Sequence, residues 1–198
     1  MKFVGITGGV GAGKTAILDY LSQQNGVKVM LADEIAHQLM EPGTGCYAGL
    51  RKEFINEEVW QADGTFDREA LARIIFSDKD KRNRLNAIVH PAVKRYVVKV
   101  LEEERKAGKL RLLVLEAALL IEEGYDEICD ELWYIYTSED NRRLRLKASR
   151  HYTDEKIDHI FKSQLRESDY RKYCGEVIDN NGSIEEAIMQ IDDILKNI

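Results

Sequence analysis

Proline and cysteine are scarce in this chain. Only two prolines, Pro42 and Pro91, occur in 198 residues. There is no Gly/Ser linker, no low-complexity tract and no fixed-period repeat, so nothing in the composition marks a domain boundary. The three cysteines, Cys46, Cys129 and Cys174, are odd in number and far apart. They form neither a metal-binding spacing nor a disulfide framework, which points to a reducing, cytoplasmic setting. No stretch of about 18 unbroken apolar residues occurs, so no membrane-spanning helix is expected. The start, MKFVGITGGVGAGK, carries one lysine and then a glycine-rich run, unlike a secretory signal. The net charge is −6, from 35 acids and 29 bases. A nucleic-acid binder is more often basic, so phosphate recognition should be local, with no nucleic-acid partner. With 44 % hydrophobic residues the chain can bury an ordinary core, which excludes disorder.

Short apolar runs rich in β-branched and aromatic residues predict strands at Phe3–Thr7, Val27–Leu31, Leu112–Leu115 and Leu132–Thr137, with a weaker one at Glu176–Ile178. Each is followed by a helical pattern. Near-continuous apolar strands alternating with helices predict an α/β fold with a five-stranded parallel sheet covered on both faces. Pro91 to Ala107 has helical periodicity, and Pro91 suits a first turn. Ser183 suits the N-cap of a last helix. No strand is expected between Asp33 and Gly108, which leaves a helical insertion of about seventy residues. An insertion there suits a second substrate.

The sharpest motif is Gly8-Gly9-Val10-Gly11-Ala12-Gly13-Lys14-Thr15, which fits G-x-x-x-x-G-K-[ST] between a strand and a helix. Glycines let the backbone curl so that successive N–H groups point at phosphate oxygens. The following helix presents its positive end to the same phosphates. Lys14 would meet the β and γ phosphates, and the Thr15 hydroxyl would ligate Mg²⁺. The base-reading N-K-x-D of GTPases is absent. Asp179-Asn180-Asn181-Gly182 reads as a turn before the last helix. Glu116 ends the run Leu112–Leu115, where an acid would lie near Mg²⁺ and its waters; a plain surface acid fits the same position.

A small kinase must orient the acceptor hydroxyl and receive its proton. Asp33 follows the second strand, at the sheet edge expected to carry the glycine-rich loop. It is a candidate base or orienting group, and equally a helix N-cap. Residues 141–150 carry five bases, Arg142, Arg143, Arg145, Lys147 and Arg150, and no acid. As a lid over the nucleotide they would neutralise the transferring phosphoryl group. Their spacing favours Arg143, Arg150 and Arg145 over Arg142. His90 before Pro91 reads as a kink residue or an acceptor contact. Tyr47, Trp60 and Phe66 read as core or as apolar surface for a substrate arm.

Together these segments resemble the dephospho-coenzyme A kinase family over nearly the whole chain. The resemblance rests on the ordered set: Gly5–Thr15, then Ala32–Ala36 with Glu41-Pro42-Gly43, then Asp63-Gly64 with Asp67-Arg68, Leu71 and Ile75-Phe76. Leu85, Ile88 and His90-Pro91 follow, and then Leu119-Leu120 with Glu122 and Gly124, and Val177–Gly182. It implies in-line transfer of the γ-phosphoryl of ATP to the ribose 3′-hydroxyl of dephospho-coenzyme A, with Mg²⁺ as cofactor. It implies a P-loop kinase core at 1–32, 109–139 and 174–198, a helical acceptor domain at 33–108 and a lid region at 140–173. By the same resemblance Asp33 acts on the 3′-hydroxyl, His90 faces the acceptor and Asn180 lies by the adenine. A monomer is expected. The sequence departs from the family at Leu31, where an acid is common, at Ala118 for proline, at His151 for an acid and at Ala16 for a hydroxyl residue. The backbone N–H of Ala16 can still meet the α-phosphate.

Overall fold

A computed structural model describes the whole chain, Met1–Ile198. Its elements are β1 (Lys2–Thr7), α1 (Lys14–Ser22), β2 (Val27–Leu31), α2 (Ala32–Leu39), α3 (Gly45–Glu53), α4 (Arg68–Ser77), α5 (Lys79–Ala107), β3 (Leu112–Glu116), β4 (Glu131–Tyr136), α6 (Glu139–Arg150), α7 (Asp154–Lys162), α8 (Glu167–Tyr173), β5 (Glu176–Asp179) and α9 (Ile184–Leu195). The chain divides into two compact units, Met1–Met30 with Glu104–Ile198, and Leu31–Glu103; residues 140–173 belong to the first.

In the first unit the strands form one sheet in the order β2-β3-β1-β4-β5. β1 pairs in parallel with β3 and with β4, and β4 with β5. All five strands stand where the apolar runs predict them, to within a residue at each end. The apolar side chains of β1, β3 and β4 are buried almost completely. Such strands must be covered on both faces, because alternate side chains point to opposite sides. Each fully buried leucine, isoleucine or phenylalanine contributes about 1.5–3 kcal/mol, so this central slab dominates the unit's stability. Helix α1 offers Ile17, Leu18 and Leu21 to it, and α9 offers Ala187, Ile191 and Leu195. The strand order reverses at β1: the chain leaves β1 for β2 on one side of it and leaves its other neighbour, β4, for β5 on the opposite side. Open α/β sheets bind ligands at the carboxyl end of that switch point, and the glycine-rich loop begins there.

The second unit is helical, as the missing strand signals imply; its one extended pairing is the isolated bridge of Trp60 with Phe66. Leu50, Phe54 and Val59 are fully buried. The Trp60 and Phe66 rings lie 4.2 Å apart, and Tyr47 meets both edge-on at 5.9 and 6.5 Å. Trp60 Nε1 donates to Phe54 O at 2.7 Å, and Tyr47 Oη to Gly64 O at 2.7 Å. These three aromatics therefore tie residues 45–66 together, with Phe66 buried and Tyr47 and Trp60 half-buried. Pro91 does not begin a helix. It lies inside the single 29-residue α5. A proline there removes one backbone bond, but Leu85, Val89, Ala92, Val93 and Val97 bury the helix on both sides of it. His90 accordingly sits within α5 and not at a junction between two helices. The Asp179–Gly182 turn is as expected, with Asn181 N donating to Asp179 Oδ1 at 2.8 Å. No helix is long and apolar enough to cross a membrane.

Cys174 caps α8 at 7 % exposure, and burial pushes its thiol up to about 12. Almost no thiolate exists at pH 8, and only thiolate reacts. With Cys46→Ser and Cys129→Ser in place, a disulfide reagent at pH 8 should label Cys174 only after denaturant is added. Prompt labelling of native protein would show that the β4–α8–β5 packing is wrong.

Candidate active site

The glycine-rich loop leaves the carboxyl end of β1 and enters α1. Gly13 sits at the N-cap with φ 85°, a left-handed conformation that side chains resist. A Cβ there would also stand 2.5 Å from Asn180 Nδ2. Helices α3, α4, α6, α7 and α9 begin with a side chain that accepts a first-turn N–H: Thr44, Asp67, Ser138, Thr153 and Ser183. Helix α1 has no such cap and no acid in its first turn. No N-cap side chain and no first-turn acid therefore offsets its positive end. Such a terminus is an anion site.

Donors hold the loop carbonyls. Lys14 Nζ donates to Gly8 O at 2.8 Å and lies 3.5 Å from Glu116 Oε1. Arg142 Nε donates to Val10 O at 2.9 Å. Ala12 O accepts from three side chains: Asn180 Nδ2 at 2.7 Å, Thr137 Oγ1 at 3.1 Å and Arg145 Nη1 at 3.3 Å. Arg145 Nη2 also donates to Asn180 O at 2.7 Å. The oxygens of Gly8, Val10 and Ala12 are thus engaged by cations, an amide and a hydroxyl, and Gly9 O accepts from Ala12 N at 3.0 Å within the loop.

Of the arginines that spacing favours, α6 brings Arg145 to the loop but not Arg143 or Arg150. Arg143 bonds Asp154 at 2.8 Å and also Asp158. These carboxylates hold its pKa above the ordinary value, and Lys147 and Arg143 together hold that of Asp154 below. Arg150 is exposed, with its guanidinium 6.0 Å from the Tyr152 ring. Arg145 and Arg142 are the residues on the loop. The buried Leu146 marks the stripe of α6 that packs inward. Arg142 and Arg145 lie on one flank of Leu146, toward the loop, whereas Arg143 and Arg150 lie on the other.

Asp33 does not cap α2. Leu31 is the N-cap, and Asp33 is the second helical residue, in a first turn that favours a carboxylate. His90 lies in α5 of the same unit.

The dephospho-CoA kinase family model matches residues 2–186. The chain belongs to that family. Members of the family use ATP to phosphorylate dephospho-CoA, the final step of coenzyme A biosynthesis. A family dephospho-CoA kinase of Shouchella clausii is 35 % identical over 97 % of this chain and 96 % of its own. One from Symbiobacterium thermophilum is 33 % identical over 97 % of this chain and 79 % of its own. The crystal structure of TT1252 from Thermus thermophilus superposes with a TM-score of 0.79 at 28 % identity, covering 100 % of this chain and 97 % of that one. The family's fold is the P-loop kinase sheet described above.

Two substitutions separate the arginines. Arg145→Ala should weaken ATP binding at least about tenfold by calorimetry, since it removes a charge-assisted bond to Ala12 O and one to Asn180 O. Arg143→Ala should leave it within about twofold. The reverse order would return Arg143 to the loop.

Proposed function

We propose that this chain transfers the γ-phosphoryl of ATP to the ribose 3′-hydroxyl of dephospho-CoA. The observation that carries the nucleotide half is the N-terminus of α1, without a side-chain cap, behind a loop whose Gly8, Val10 and Ala12 carbonyls are held by side-chain donors. The acceptor half rests on membership of the dephospho-CoA kinase family. In this reading residues 8–16 cradle the phosphates with backbone N–H groups, including that of Ala16. Lys14 exchanges Gly8 O and Glu116 for the β and γ phosphates. Arg145 stabilises charge on the transferring group, and Asn180, besides holding the loop, borders the adenine. Arg143 and Arg150 would serve a closed state only after leaving their present contacts.

Asp33 receives the proton of the 3′-hydroxyl or orients it, and His90 contributes to the acceptor side of the helical unit. The donor set at the loop, one hydroxyl and one carboxylate, suits Mg²⁺ arriving with the nucleotide, since that ion keeps several waters and takes few protein oxygens. Thr15 would hold it directly and Glu116 through water. When bound, it would neutralise charge on the β and γ phosphates. We further expect a monomer acting in the cytoplasm, with no nucleic-acid or membrane partner.

The test is ADP formation from Mg·ATP with dephospho-CoA, adenosine, AMP or CMP as acceptor. ADP should appear only with dephospho-CoA, and coenzyme A should be the product. Asp33→Asn should lower kcat at least about a hundredfold while ATP binding persists. Turnover with another acceptor would overturn the substrate, and unchanged kcat in Asp33→Asn would overturn the base.

A further inference from the structure

Arg142 is the only charged side chain among the buried residues, at 8 % exposure. Its hydrogen bonds go to neutral groups, Val10 O at 2.9 Å and Gln164 Oε1. Its guanidinium carbon lies 4.2 Å from the centroid of the Phe161 ring. No carboxylate pairs with it. Burial, the largest effect on it, depresses its pKa, and Glu139, with which it makes no ion pair, is the one acid acting against that. A Cβ on Gly9 would stand 2.3 Å from its Cζ and 2.5 and 2.6 Å from its two terminal nitrogens. These near-equal distances put Gly9 over the face of the guanidinium, a stack that only glycine permits.

A buried cation with no counter-charge is costly, and hydrogen bonds to neutral acceptors offset only part of the cost. The anion able to offset the rest is one held in the loop that Gly9 and Val10 form. We propose that Arg142 is a positioning residue and built-in charge of the phosphate site: it acts through the loop backbone, raising affinity for a polyphosphate while fixing Val10 O outward. The proposal rests on the reading that the loop takes the phosphates of ATP. It assigns to Arg142 a charge function distinct from that of Arg145, which bears on Ala12 and Asn180.

The test measures binding of inorganic tripolyphosphate and of Mg·ATP by calorimetry in wild type, Arg142→Lys, Arg142→Gln, Arg142→Met and Lys14→Ala, with melting curves taken without ligand. Both neutral variants should bind either probe about tenfold more weakly. Arg142→Lys, which keeps the charge but cannot bridge Val10, Gln164 and Phe161, should stay within about threefold. The KM for ATP should rise in the neutral variants, with the KM for dephospho-CoA unchanged. Arg142→Gln or Arg142→Met should melt, unliganded, no lower than Arg142→Lys, since removing an unpaired buried charge offsets the lost bonds. Wild-type tripolyphosphate affinity in either folded neutral variant would overturn the proposal, as would an equal loss in Arg142→Lys. Lys14→Ala binding ATP as tightly as wild type would instead remove the nucleotide reading beneath it.

Discussion

Hydrogen bonds from outside the glycine-rich loop to its own carbonyl oxygens are the constraint on which the site depends. A tight loop has as many acceptors as donors, and a phosphate can use only the donors. Gly8 O, Val10 O and Ala12 O are each taken, by Lys14, by Arg142, and by Asn180 with Thr137 and Arg145. Three of these donors carry positive charge. The same contacts that orient the backbone therefore raise the potential where the phosphates would lie. Ordering the loop before the nucleotide arrives means that binding need not supply that ordering.

Those donors come from distant parts of the sequence, and the sheet brings them together. Thr137 follows β4 and Asn180 follows β5, both beyond the carboxyl ends of strands on the side of β1 that leads away from β3. Asn180 N also donates to Tyr136 O at 2.8 Å. The parallel register thus places Thr137 and Asn180 side by side under Ala12. Helix α6, capped by Ser138, then starts within reach of the loop. A fold with β1 at a sheet edge could not receive donors from two following strands on one flank and Glu116 of β3 on the other.

Much of this was legible in the sequence where one local rule acted alone. The strands read correctly because parallel strands buried on both faces are apolar throughout. The loop motif and the Ser183 cap read correctly because their spacings are short and steric. The failures came where tertiary packing outvoted a local preference. Pro91 looked like a helix start, but five buried neighbours carry α5 through it. Asp33 reads as a cap, but the chain turns helical two residues earlier than that, directly from β2. In α6 the count of bases hid the face. The buried Leu146 sets the inward stripe but not which of its two flanks meets the loop, and Asp154 and Asp158 on the next helix take Arg143. Neither partner is visible from the spacing of the arginines themselves.

The central claim is that these donors hold the loop in its phosphate-binding shape before any nucleotide is present. Crystal structures of the protein with and without a non-hydrolysable ATP analogue test it most directly. The account predicts that the backbone of residues 8–15 superposes within about 1 Å between the two, with the bonds from Asn180 and Arg145 to Ala12 O intact in both. A loop that rebuilds by more than about 2 Å on binding, with those bonds absent in the free protein, would contradict it.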